Sequence, residues 1–307
     1  MAYWPMRALP DFKERPAVLV PLRFEAVEMA AAVPPLRLAG AWTMQVHDPR
    51  FHGISALAID QGRFLAATDL GAVIRFDMPA ASHPRAMLKD LRFGPGKFGP
   101  KWARDAESIA RDLTGRGWWI GFEQNHSLWL YDSSFRNARA SVDLNRPDWW
   151  YNRGAEGLIP EGAGLLVLAE NGREAMPVRR NRIGRVSLAA GADVADAARA
   201  PDGSAWLLLR TKGLNGISQA IARLNRTQAG YRAGPAWPVP KGLFDNYEGM
   251  AIERRPGGGL RFWLVTDDGH RIMARNLLVA LDYLPSEHGQ SPATSAGPSK
   301  LQPVETP

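Results

Sequence analysis

Between residues 36 and 284 apolar and polar residues alternate in short runs, such as Arg261 to Thr266, and Gly or Pro separates one run from the next. Alternation with period two marks strands with one buried face, and no long stretch carries the 3.6-residue period of an amphipathic helix. The pattern predicts an all-β fold. Five segments align at their centres without gaps: His52 to Ile59, Asp105 to Ala110, Gly154 to Ile159, Val194 to Ala198 and Asn246 to Ile252. Their shared polar position is Ser55, Glu107, Glu156, Asp196 and Glu248, at spacings of 52, 49, 40 and 52 residues. A period in that range is the length of a four-stranded propeller blade.

A second strand follows each segment: Arg63 to Asp69, Trp118 to Glu123, Leu165 to Glu170, Ser204 to Arg210 and Phe262 to Asp267, each ending on a charged residue. Four residues before that charge stand Leu65, Trp119, Leu166, Trp206 and Trp263, which period two assigns to packing between blades. Third strands are expected at Val73 to Asp77, Ser127 to Tyr131, Ile183 to Val186, Ala220 to Leu224 and Leu278 to Leu281. Fourth strands are expected at Pro84 to Leu91, Ala138 to Leu144 and Tyr231 to Trp237, with little room for one in the third repeat. The last repeat is one strand short, and Leu36 to Trp42 resembles Tyr231 to Trp237, so an N-terminal strand is expected to close the last blade and remove two open edges. Five repeats imply five blades, while Pro21 to Met29 leaves material for a sixth. The expected organisation is an N-terminal extension over 1–35, a β-propeller over 36–284 and a disordered tail over 285–307, rich in Ser, Pro, Gly and Gln.

Composition narrows the chemistry. The 307 residues contain no Cys, which excludes disulfide frameworks, thiolate catalysis and zinc ribbons. The net charge is +7, but 31 of the 38 basic residues are Arg, scattered among Ala, Gly and Pro. That usage reflects a GC-rich, bacterial genome rather than a nucleic-acid surface, and the one dense run, Arg179 to Arg182, reads as a solvated loop. No apolar run is long enough to span a membrane, and no secretory leader is visible in the first residues. The Gly-x-Ser-x-Gly elbow, the Walker loop and His-Glu-x-x-His are all absent, and Gly94 to Gly99 matches a dinucleotide fingerprint in letters only.

In a propeller the first strand of a blade starts, and the second ends, on the same face of the disc. The two repeating positions therefore predict adjacent rings at one mouth of the channel: Ser55, Glu107, Glu156, Asp196, Glu248, and Asp69, Glu123, Glu170, Arg210, Asp267. Facing carboxylates need protons, arginines or a cation. Calcium, with six to eight oxygen ligands in flexible geometry, suits such a ring. The candidate ligands are Asp69, Glu107, Glu123, Glu156, Glu170, Glu248 and Asp267. Three readings stay open: an ion site, a structural ring paired with arginines, and direct catalysis by Glu107, Glu156 and Glu248.

Loops before the first strands bring aromatic and basic residues: Arg50 to His52, Lys101 to Arg104, Trp149 to Arg153 and Lys241 to Tyr247. Arg104, Arg153 and Arg210 are candidates for orienting an anionic substrate. The aromatic residues either join that surface or simply roof the channel. His52, His126 and His270 fall beside the rings, and His52 is taken as a candidate general acid or base.

The series Phe51 to Leu57 with Ala67 to Asp69, Asp105 to Ile109 with Gly121 to Glu123, Gly154 to Gly157 with Leu168 to Glu170, and Asn246 to Gly249 with Val265 to Asp267 resembles the phytase-like "esterase-like activity of phytase" family, relatives of the β-propeller phytases. The resemblance implies a propeller, a periplasmic or secreted location and a calcium-dependent phosphoester hydrolase. Arg210, where other repeats carry Asp or Glu, departs from a full phytase-type calcium cluster. The expected function is calcium-assisted hydrolysis of phosphate or other anionic esters at the channel mouth by a monomer. The alternative is a non-catalytic propeller that binds a small anionic ligand or a protein on the same face.

Overall fold

The computed structural model describes residues 14–284 apart from 97–103, 145, 147–148, 150–152, 181, 214–215, 256 and 271–273. The expected tail over 285–307 lies outside the described residues. Every regular element is a strand: β1 (Val18–Pro21), β2 (Arg23–Ala26), β3 (Leu36–Gln45), β4 (Ile54–Asp60), β5 (Arg63–Thr68), β6 (Ala72–Phe76), β7 (Arg85–Asp90), β8 (Ala106–Arg111), β9 (Trp118–Phe122), β10 (Ser127–Tyr131), β11 (Ala138–Asp143), β12 (Ala155–Glu161), β13 (Gly164–Ala169), β14 (Glu174–Arg179), β15 (Arg182–Ile183), β16 (Val186–Ala189), β17 (Asp193–Arg199), β18 (Ala205–Gly213), β19 (Gly216–Thr227), β20 (Gly230–Pro238), β21 (Tyr247–Arg254), β22 (Leu260–Thr266) and β23 (Leu277–Tyr283).

The strands form successive antiparallel blades: β4-β5-β6-β7, β8-β9-β10-β11, β12-β13-β14-β16, β17-β18-β19-β20 and β21-β22-β23-β3. The last is closed by the N-terminal β3, which pairs with β23 from Leu277↔Thr43 to Tyr283↔Leu36. Of Pro21 to Met29, which the sequence left for a sixth blade, Arg23–Ala26 forms β2, an outermost fifth strand on β3, and β1 just before it is likewise an outermost strand on β7. The segment read as an extension thus reaches the propeller's rim.

One hydrophobic core lies between each pair of neighbouring blades, and the inner strands β4, β8, β12, β17 and β21 neighbour one another in a closed cycle. Leu65, Trp119, Leu166, Trp206 and Trp263 each fall in a different one of these cores, as their alignment predicts. Trp263 of the last blade meets Phe64 of the first edge-on at 5.1 Å, and Trp206 meets Phe262 at 4.9 Å. Such pairs add specific ring geometry to the area they bury.

The third blade differs from expectation. Its third strand is β14, Glu174–Arg179, and Ile183 to Val186 falls at the edge. Pro177 hid β14 from a propensity reading, yet it sits between Leu166 and the blade's outer edge. Beyond β14, β16 runs parallel to β20 of the fourth blade and ties the two outer edges together. The Arg179, Arg180 and Arg182 side chains are exposed at the β14–β15 hairpin.

Candidate functional site

In every blade the pairing of the inner strand with the second strand slips by one residue near its start: between Ile54 and Ala56, Ala106 and Ser108, Ala155 and Gly157, Val194 and Asp196, and Tyr247 and Gly249. The extra residue of such a bulge leaves the ladder, and its side chain is re-aimed. Here it is Ser55, Glu107, Glu156 and Glu248 in four blades, which is why these side chains turn into the channel. In the fourth blade it is Ala195. Asp196 therefore stands one position off the ring expected from the alignment. Its carboxylate instead accepts from the backbone N–H groups of Ala197 and, on β21, Met250, both at 2.6 Å. The Glu-Gly pairs have a packing reason, since a Cβ on Gly249 would come within 2.9 Å of the Ala56 and Leu57 backbone.

The carboxylates converge on a cavity of about 360 Å³ lined by Asp69, Asp105, Glu107, Glu123, Glu156, Glu170, Glu248 and Asp267, with Arg153, Arg210 and Lys212 as its only basic side chains among the described residues. A basic protein thus carries a strongly acidic mouth. Deeper in the channel Leu57, Ile109, Leu158, Ala197 and Met250, one from each inner strand, form an apolar layer. Burial first, then the neighbouring Asp105, pushes Glu107 well above the usual carboxylate range. Burial and Glu123 do the same to Glu156.

Arg210 offsets part of this charge. Its guanidinium donates to Glu170 at 2.9 Å and, closer still, to Glu248. Burial raises the Glu248 pKa, against the lowering influence of Arg210. Arg153, whose side chain is half exposed, lies 3.6 Å from Glu170, as does Lys212. Asp105, Glu107 and Glu123 can place one oxygen each within 4.8 Å of one another. An all-oxygen, anionic donor set of that size fits a hard cation such as calcium better than a soft one.

Two residues predicted for the site are placed elsewhere. Arg104 is buried, is not among the side chains lining the cavity, and donates to the Leu91 carbonyl. His52 is not among the side chains lining the cavity, and its Nδ1 lies 2.6 Å from the buried Asp268 carboxylate. Asp268 also accepts from the backbone N–H groups of Gly53 and His270. His270 in turn contacts Asp69 through Nε2 at 3.1 Å. Burial opposes its protonation, but Asp69, Asp268 and Asp267 outweigh it and hold the imidazole pKa above its ordinary value. The described aromatic residues divide. Phe51 and Tyr247 are fully buried and structural, whereas Phe244 is exposed at the mouth.

The sequence reading overlooked Asp105, Lys212 and Asp268. Period two held the signal for the first two, because Asp105 lies two residues before Glu107 and Lys212 two after Arg210.

A pH dependence follows from Glu107 and Glu156. Their folded pKa values lie above the unfolded value of about 4.3, so the folded chain holds protons that the unfolded chain releases. Stability contributed by their protonated forms is full below that value and declines as pH rises towards the folded pKa values. In chelator, the melting temperature should fall as pH rises above about 4.3, and calcium should flatten the slope. A melting temperature independent of pH in chelator would show that these carboxylates carry no such strain.

Fold and site together define a β-propeller with an acidic channel mouth. The chain belongs to the phytase-like family described as esterase-like activity of phytase, whose model matches residues 49–270. No curated protein sequence matches it. Among solved structures the chain is similar to Myxococcus xanthus glutaminyl cyclase (12% identity, 81% of this chain and 97% of that chain, TM-score 0.48). It is also similar to a chain of the nidogen/laminin complex (15%, 88% and 99%, 0.46). A third similarity is to Kuenenia stuttgartiensis hydrazine synthase (12%, 72% and 58%, 0.40), of whose chain it spans somewhat over half.

Proposed function

We propose that the chain hydrolyses phosphate or other anionic esters with the assistance of calcium at the acidic mouth. The observation that carries this reading is the convergence of Asp105, Glu107 and Glu123 within 4.8 Å in a cavity also lined by Glu156. These four residues would hold the ion. When bound, calcium supplies positive charge to polarise an ester oxygen and to activate water.

The chain's own residues divide the remaining work. Arg210 is engaged by Glu170 and Glu248, so it fixes the cavity's shape and charge rather than reaching for substrate. Arg153 and Lys212, both about half exposed on the rim, would orient an anion through charge-assisted hydrogen bonds. Ser55 is the only hydroxyl among the described lining residues, and it donates to the Ala106 carbonyl. In this reading water is the attacking group, and a cavity carboxylate takes its proton.

Phosphomonoesters and carboxyl esters assayed with calcium and with chelator test the proposal. Chelator-sensitive turnover of at least one class is expected, with Glu107→Gln and Glu156→Gln each lowering it by about 10²-fold or more. The same variants should lose calcium-induced stabilisation, about 2.7 kcal/mol at a hundredfold excess over the dissociation constant. If turnover is absent and calcium still stabilises the wild type, the alternative of a non-catalytic binding propeller takes its place.

A further inference from the structure

Beside the acidic cavity lies a second pocket of about 300 Å³ on the same face, with Asp267 in the wall of both. Its character is different. Ile217, Leu243, Phe244 and Ala274 form an apolar side, with Leu243 81% and Phe244 44% exposed. Large apolar side chains on a surface loop usually adapt by moving, but this loop is pinned. The buried Asp245 accepts from Gly242 N–H at 2.6 Å and from Arg275 through both carboxylate oxygens at 3.1 and 2.9 Å. The loop that presents Leu243 and Phe244 is thus held rigid by an ion pair behind it, an arrangement that reduces the ordering cost of binding.

The polar groups around this pocket do not favour an anion. Asp245 is paired with Arg275, and Asp268 is occupied by His52 and two backbone N–H groups. Asn246 bridges the two cavities by donating to Glu248 at 2.6 Å.

We propose that this pocket takes the apolar, ring-sized part of an anionic ester whose charged group sits in the adjacent acidic cavity. The substrate class is then an aryl or similarly bulky apolar ester rather than a small or polyanionic one. The proposal rests on the anion-binding part of the reading above and extends it to specificity. Leu243 and Phe244 would act as specificity-determining residues through the area they cover.

The test is equilibrium titration of the full chain, in saturating calcium, with 1-naphthyl phosphate and with methyl phosphate. Naphthyl phosphate should bind at least about tenfold more tightly. A Leu243→Ser, Phe244→Ser double variant should bring the two affinities together without lowering the melting temperature, because both side chains are largely outside the core. Preferential binding without hydrolysis supports the pocket and removes only the catalytic reading. Hydrolysis of both esters with equal affinities keeps the catalytic reading and overturns the pocket. Failure of naphthyl phosphate to bind, or an unchanged preference in the double variant, overturns it as well.

Discussion

Replacing Arg210 with Met should lower the melting temperature at pH 7 by about 10 °C. The guanidinium lies between Glu170 and Glu248, and all three side chains are buried, at 9%, 7% and 12% exposure. Methionine fills a similar volume but leaves two carboxylates facing each other in a low-dielectric cavity. Removing one partner of a buried ion pair costs about 3–5 kcal/mol, and in a protein of this size each kcal/mol shifts the midpoint by about 2–4 °C. The loss should depend on pH with a definite sign. Arg210 is the strongest influence holding the Glu248 pKa down against burial, so its removal raises that pKa further. The variant's folded state then holds a proton that its unfolded state lacks above about pH 4.3, and the deficit relative to wild type shrinks as pH falls. Adding Glu248→Gln should recover part of the loss at neutral pH, because the two substitutions share one interaction. A single variant that melts like wild type at pH 7 would show that solvent or rearrangement already screens these charges.

The rings of charge were legible in the sequence because propeller geometry converts a repeated strand position into a repeated position in space. Glu107, Glu156 and Glu248 and the second-strand residues Asp69, Glu123, Glu170, Arg210 and Asp267 line one cavity for that reason. What alignment could not resolve is the bulge, a backbone event with no residue signature. In the fourth blade the extra residue is Ala195, and the one-residue shift sends Asp196 to the backbone of β21 instead of the ring. A shift of one reverses the side-chain direction in a strand, so an alignment correct to within one residue still errs about function there. Arg104 was misread for a different reason. It enters β8 beside Asp105, but its guanidinium turns back to the Leu91 carbonyl of the preceding blade. Such interblade contacts depend on tertiary neighbours that no local pattern contains. The loop Lys241 to Tyr247 was legible as an aromatic and basic surface near the mouth, but not as the wall of a separate pocket, because exposed apolar residues in a loop acquire that meaning only beside one.

Deleting residues 1–45 should abolish cooperative folding, the largest effect expected of any change considered. The deletion removes β3 from the last blade, exposes the edge of β23 and takes Leu36, Ala41 and Met44 out of two interblade cores. Burial of large apolar side chains is worth about 1.5–3 kcal/mol each, and an unpaired ladder edge adds to the loss. The sum approaches the whole stability of an ordinary domain, about 5–15 kcal/mol. Thermal melts and near-UV circular dichroism would register it as the loss of a single sharp transition. The identity of the missing strand matters here, and its place in the chain does not. Leu284 N–H already donates to the Pro35 carbonyl at 3.1 Å, so the end of β23 lies beside the start of β3. A permuted chain running from residue 46 to 284, through a short Gly-rich turn, and then from 35 to 45 would join these two antiparallel strands as a hairpin. It should recover a cooperative transition although β1 and β2 are absent, because every inner strand stays paired, with a lower midpoint from the loss of Val18, Val20, Leu22 and Phe24 from one interblade core. If the deleted chain melts as the full chain does, β3 does not close the ring. If the permuted chain also fails to fold, the N-terminal segment contributes through β1 and β2 rather than through closure.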